Sequence, residues 1–213
     1  MKKLILTTTL LIALCIIALA QIKPDTTINN GTYTSYFSYK FKEPLCVSYI
    51  LYKGGGDCSR DGFHFKNDTK ITFMARDNDY DKSGYDKGHL ANAEDFANNC
   101  IKDESTFRFY NCLPQTPNLN RGVWKKWETG IRVESQTDSL LIICGGIFTS
   151  GKTIGDKVAV PDYCFKIVQS LKTKKILWTL LFTNKEKDSA MEFKTLEELE
   201  KFSQYKLKDL LLK

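Results

Sequence analysis

Histidine is almost missing: the 213-residue chain carries only His64 and His89. Any chemistry that needs an imidazole therefore has two candidates. Cys-x-x-Cys spacing is absent, which sets aside a zinc knuckle. No repeat at solenoid or propeller period occurs, and no linker-like stretch marks a domain boundary. A strong excess of either charge is absent too. The 31 Lys and Arg against 25 Asp and Glu leave +6, a mild excess that favours anionic partners without identifying one. With 42% hydrophobic and 26% charged residues, the composition excludes a disordered, collagenous or multi-span membrane protein. The length suits one domain.

The single long uncharged run lies at the start. Met1, Lys2 and Lys3 precede Leu4 to Ala20, and Ala18-Leu19-Ala20 offers small residues before Gln21. This has the form of a secretory signal peptide over residues 1–20, with a retained anchor as the alternative. After cleavage the chain is expected to be secreted or periplasmic, free of the membrane, with residues 21–213 forming one domain. Six cysteines then remain: Cys46, Cys58, Cys100, Cys112, Cys144 and Cys164. An even count in an exported chain suggests disulfides. Cys144 and Cys164 lie in apolar runs where buried free thiols are equally natural.

Residues 21–43 read as a polar surface lead-in. Leu45 to Tyr52 reads as a strand closed by Gly54-Gly55-Gly56, Lys70 to Ala75 as a short strand, and Thr106 to Leu113 as a strand ended by Pro114. Asn118 to Val133 has helical spacing, with Leu119, Val123, Trp127 and Ile131 as its core stripe. Three strands are expected at Leu140–Phe148, Lys157–Gln169 and Lys175–Thr183. Thr195-Leu196-Glu197-Glu198 is a capping box opening a last helix. The pattern is that of an α+β fold.

His64 lies between Phe63 and Phe65 and reads as a strand or core residue. His89 lies in Ser83-Gly84-Tyr85-Asp86-Lys87-Gly88-His89-Leu90, where glycines allow turns and close approach and both signs of charge flank the ring. Downstream, Asn111-Cys112-Leu113-Pro114-Gln115 precedes a helix with Asn120, Trp124 and Glu128 on one face. An amide oxygen and a carboxylate so spaced suit a hard cation that keeps its waters.

These segments resemble the DNA/RNA non-specific endonucleases, whose signature runs Asp-Arg-Gly-His, Asn-x-x-Pro-Gln and Asn-x-x-x-Trp-x-x-x-Glu. The similarity spans about Leu45 to the C-terminal helix. It implies a ββα-metal (His-Me finger) nuclease fold, with a central antiparallel sheet and flanking helices. It implies that His89 is the general base, that Asn120 is the one protein ligand of Mg²⁺ (or Mn²⁺ or another divalent cation), and that Glu128 orients metal-bound waters. Asn111 would support the site. Arg60, and with it Arg121, would hold phosphate. Lys87 stands where the signature has arginine, so it too would act at the scissile phosphate, as a point charge in place of a planar fork. The implied activity is hydrolysis of DNA and RNA to 5′-phosphates without sequence preference, since contacts to phosphate carry no base information. Members of the family are often homodimers, although no interface signal is visible in the sequence. Two other readings compete: a nucleic-acid-binding protein of the same fold that has lost catalysis, and an unrelated disulfide-stabilised binding module. The first is disfavoured by intact His89, Asn120 and Glu128, and the second leaves the spaced asparagines unexplained.

Overall fold

The computed structural model describes residues 23–69, 71 and 73–213; the signal-peptide reading of residues 1–20 lies outside them. Its frame is a seven-stranded sheet in the order β1-β2-β3-β6-β9-β10-β11. The strands are β1 (Thr26–Asn29), β2 (Thr34–Ser38), β3 (Glu43–Leu51), β6 (Leu140–Ile147), β9 (Tyr163–Ser170), β10 (Ile176–Thr183) and β11 (Met191–Phe193). Every adjacent pair is antiparallel. Two small ribbons stand apart: β4 (Asp86–His89) with β5 (Cys112–Gln115), and β7 (Thr153–Ile154) with β8 (Val158–Ala159). The helices are α1 (Cys100–Ser105), α2 (Lys125–Glu134) and α3 (Leu196–Ser203).

The middle strands are buried on both faces, which is why β6 reads as one unbroken apolar run. Side chains alternate along a strand. Cys164 and Val168 of β9 enter one core with Leu113, Trp124 and Ile131, while Phe165 and Ile167 enter a second core with Leu199 and Leu207. The sheet thus divides the molecule. One face carries β4, β5, α1 and α2; the other carries α3 and the C-terminal turn. Thr195 and Glu198 form the expected reciprocal cap of α3.

Several expectations need correction. The lead-in contains β1 and β2: in edge strand β1, half-buried Thr26 and Ile28 alternate with exposed Thr27 and Asn29, whereas β2, one strand in, buries Ser35, Phe37 and Ser38. No strand forms among the described residues of Lys70–Ala75. Thr106–Leu113 is not one strand: a 3₁₀ turn at Phe109–Asn111 leads into β5, which continues through Pro114. Each strand of a two-stranded ribbon is an edge, where a proline without an N–H is tolerated. Lys157–Gln169 is split into β8 and β9 around Pro161. His64 is exposed and lies in no strand. One disulfide joins Cys58 to Cys100, whereas Cys46, Cys112, Cys144 and Cys164 are buried free thiols.

The helix expected over Asn118–Val133 is composite. Leu119–Trp124 is a π-type turn and α2 follows it. The wider turn shifts the buried stripe. Leu119, Trp124, Glu128 and Ile131 are buried, and Val123 and Trp127 are only half-buried against the core. Single π turns of this kind recur at functional sites.

Candidate active site

The ribbon places the imidazole. β4 and β5 pair Asp86 with Gln115, Lys87 with Pro114, Gly88 with Leu113 and His89 with Cys112. Gly88 is required by close packing, since a Cβ there would lie 2.1 Å from Gln115 Oε1. Beyond His89 the chain is held by Asn111, which is fully buried. Its Nδ2 donates to the carbonyls of Ala91 (2.9 Å) and Thr106 (2.8 Å), and its Oδ1 accepts from Ala91 N–H (2.8 Å). Asn111 thus fastens the exit of β4 to the end of α1, and does so with all of its polar atoms.

The His89 ring sits 4.7 Å from both Phe65 and Phe107, centroid to centroid. Burial, together with the positive charge of Arg60, pushes its pKa down to about 3. The imidazole is therefore neutral at physiological pH, and its Nε2 is buried without a hydrogen-bond partner. A neutral ring with a free nitrogen is the form that accepts a proton.

The π turn and α2 bring the other groups. Asn120 Nδ2 donates to Asp86 Oδ2 (3.0 Å), which leaves its carbonyl oxygen free. Arg121 clamps the same carboxylate through Nε (2.8 Å) and Nη2 (2.6 Å). Burial works against ionisation of Asp86, but these hydrogen bonds outweigh it and hold its pKa below the ordinary range. Glu128 lies one turn into α2, buried, with Oε1 3.6 Å from Lys166 Nζ. That separation makes an ion pair but is too long for a hydrogen bond, so Oε1 has no hydrogen-bond partner. Lys166 is itself 1% exposed, its ammonium 3.8 Å from the Trp124 ring centroid.

Arg60 reaches in from the loop that the Cys58–Cys100 disulfide ties to α1. Its Nε donates to Asp103 (2.9 Å) and its Nη2 to Glu94 (2.8 Å). His89, Asn120, Glu128, Arg60 and Arg121 line one cleft of about 700 Å³. Lys87 does not join them. Its ammonium pairs with Asp77 and lies 5.8 Å from the Phe65 centroid, facing a neighbouring cleft. Lys87 thus lines a different cleft from the one shared by His89, Asn120, Glu128, Arg60 and Arg121.

Sequence reading missed Lys125 and Arg132 in the cleft, and Lys166 beneath it. Arg132 had a signal, standing four residues after Glu128 on the same helix. It pairs with buried Asp95 at 2.9 Å, whose pKa burial pushes up to about 6 against the pull of Arg132 and Tyr49. Lys166 had one too, as a charge between Cys164 and Val168 on an inward-facing row.

A family model described as DNA/RNA non-specific endonuclease matches residues 18–213. The chain belongs to this family. It is 39% identical over 90 residues to a nuclease of Nostoc sp., covering 42% of this chain and 33% of that protein. Mitochondrial endonuclease G of Bos taurus is 30% identical over 129 residues, covering 54% and 43%. Mitochondrial nuclease EXOG of Danio rerio is 30% identical over 132 residues, covering 55% and 38%. In each case the matched region is less than half of the relative's length. The crystal structure of an EndoG/EndoGI complex matches with a TM-score of 0.73 over 83% of each chain at 23% identity, so this family member has the ββα-metal nuclease fold. In it the β4–β5 ribbon supplies the strands, and the π turn with α2 supplies the helix.

Proposed function

We propose that the protein is a metal-dependent endonuclease that hydrolyses phosphodiester bonds of DNA and RNA and leaves 5′-phosphates. The observation that carries the reading is the convergence of His89, Asn120 and Glu128 on one cleft rimmed by Arg60, Arg121, Lys125 and Arg132. The donor set fits a hydrated hard cation such as Mg²⁺ or Mn²⁺. Asn120 offers a free amide oxygen, and Glu128 Oε1 is buried without a hydrogen bond. Among the described residues, no three His, Cys, Asp or Glu side chains are grouped to hold a metal. A single amide ligand with waters suits such a site better than a closed cage.

Each side chain then has a task. The neutral His89 imidazole takes the proton of the attacking water. Asn111 keeps the imidazole in place by fixing the backbone behind it. Asp86 orients Asn120, and Glu128 accepts hydrogen bonds from waters in the cleft. Arg60 and Arg121 attract the phosphate and steady its charge. Asn120, with waters ordered by Glu128, would hold a divalent cation, which would supply Lewis acidity to the phosphate under attack. Because these groups address the phosphate, cleavage is insensitive to base sequence and weakens as salt rises.

We further propose export, with Leu4 to Ala20 as the signal and an oxidising compartment in which Cys58–Cys100 persists. Among the described residues no helix is long and apolar enough to cross a membrane. The deciding experiment digests supercoiled plasmid and RNA with Mg²⁺, with EDTA, and with His89→Ala. Degradation of both substrates in Mg²⁺ alone, with 5′-phosphate ends, is expected. Full activity in EDTA or in the variant overturns the reading. Binding without cleavage favours a protein that only holds nucleic acid.

A further inference from the structure

The cleft beside the His89 site is lined by rings. Phe63, Phe65, Phe107, Tyr85 and His64 surround a space of about 480 Å³, within the roughly 300–1,000 Å³ typical of ligand pockets. Phe63, Phe65 and Phe107 are half-buried and His64 is exposed. Phenylalanines left open to water in one place mark a surface that meets something apolar. The rings brace one another: Phe107 lies 5.4 Å from both Phe63 and Phe65. Phe107 also lines the catalytic cleft and packs 4.7 Å from His89. The two clefts therefore share a wall, and the second begins one ring away from the imidazole.

Charge separates their occupants. The catalytic cleft presents Arg60, Arg121, Lys125 and Arg132 against Glu94 and Glu128. The aromatic cleft presents Asp77, Asp81 and Asp86 against Lys87; Asp77 pairs with Lys87 and Asp86 with Arg121, so among the described residues Asp81 is the rim carboxylate outside an ion pair. Carboxylates repel phosphate but accept hydrogen bonds from the amino and imino groups of a base edge. Flat apolar walls with an acidic rim, continuous with a basic phosphate cleft, match the two halves of a nucleotide.

We propose that the aromatic cleft is a subsite for one unpaired nucleobase of the strand whose phosphate lies at His89. This rests on the nuclease reading for the strand's presence. A base in a duplex is stacked on both faces and must leave the helix to enter. The subsite therefore takes single strands, or a nucleotide flipped out of a duplex. Stacking on an aromatic platform tolerates any base, so a base pocket is compatible with cleavage at every sequence.

The test uses the full protein and single-stranded oligonucleotides, each carrying one abasic residue at a different position. Cleavage at each bond is mapped in Mg²⁺. The expected result is a fall in kcat/KM of roughly 5- to 150-fold, the usual worth of one stacked base, at one fixed offset from the abasic residue. In Phe63→Ala that penalty is expected to vanish, with intact and abasic strands cut alike, and in Phe63→Tyr to return. Equal cutting of all strands by the unmodified protein overturns the proposal, as does a penalty that persists in Phe63→Ala. If the protein cuts no strand at all, the nuclease reading fails, and anisotropy of the labelled strands in EDTA decides the subsite. Weaker binding of one abasic strand supports it. Equal binding assigns the aromatic surface to another partner and overturns it.

Discussion

His89 is confined between two phenylalanine rings and faces Arg60, and both surroundings penalise its charged form. If His89 is the proposed base, replacing it by asparagine is expected to lower kcat about 10²–10⁴-fold; single-turnover cleavage in Mg²⁺ checks this, and near-normal turnover contradicts the role. The same burial predicts a pH signature. The unfolded imidazole titrates near ~6.5, and the folded one at about 3. Between these values the unfolded chain binds the extra proton. The stability contributed by a neutral His89 is thus complete above about pH 6.5 and drains away as pH falls toward 3. Urea midpoints in EDTA should show wild type losing stability relative to His89→Asn across that window, and parallel curves would exclude it. Lys87 behaves differently. With its ammonium on Asp77, Lys87→Ala is expected to leave kcat within roughly 5-fold, the range of a partly exposed ion pair. A loss as large as that of His89→Asn would return Lys87 to the phosphate.

Between elements, the joints depend on single polar residues. Asn111→Ala leaves the Ala91 N–H and the Ala91 and Thr106 carbonyls without their buried partner. A destabilisation of about 2–4 kcal/mol is expected, measurable by denaturant unfolding, with activity falling because the backbone behind His89 loosens. The Glu128–Lys166 pair joins α2 to β9 beneath the cleft. Removing one partner of a buried pair strands the other, so Lys166→Met should cost about 3–5 kcal/mol. Adding Glu128→Gln should recover part of that loss. A Lys166→Met protein as stable as wild type would mean that the pair does not anchor α2. The helix-and-strand plan was legible where burial is uniform or periodic, as in β6, β10 and the capped α3. It was illegible at β1, which buries no residue fully, at β2, which buries Ser35 and Ser38 beside Phe37, and at the π turn, whose extra residue per turn breaks the 3.6 period that reveals a helix.

Across the molecule, the Cys58–Cys100 bridge ties the loop bearing Arg60 to α1, which bears its partner Asp103. The bridge closes a loop with a sequence separation of 42, which in the chain-entropy picture stabilises by about 4 kcal/mol. Cys58→Ser with Cys100→Ser should lower the unfolding midpoint accordingly and, on the role proposed for Arg60 at the phosphate, raise KM more than it lowers kcat. An unchanged midpoint would mean that the loop is held without the bridge. Taken alone, the sequence determined the chemistry available: a scarce histidine, the Asn111–Gln115 segment, and Asn120 and Glu128 two helical turns apart. Those assignments depend on residue type and local spacing, which a chain carries in one dimension. Only the tertiary structure decided which groups share a cleft. Lys87 is two residues from His89 yet points to Asp77 and the aromatic rings, whereas Arg60 and Lys166, distant in the chain, come to the imidazole and to Glu128. Those placements follow from strand register and sheet packing, where contacts between residues far apart in sequence set the direction of each side chain.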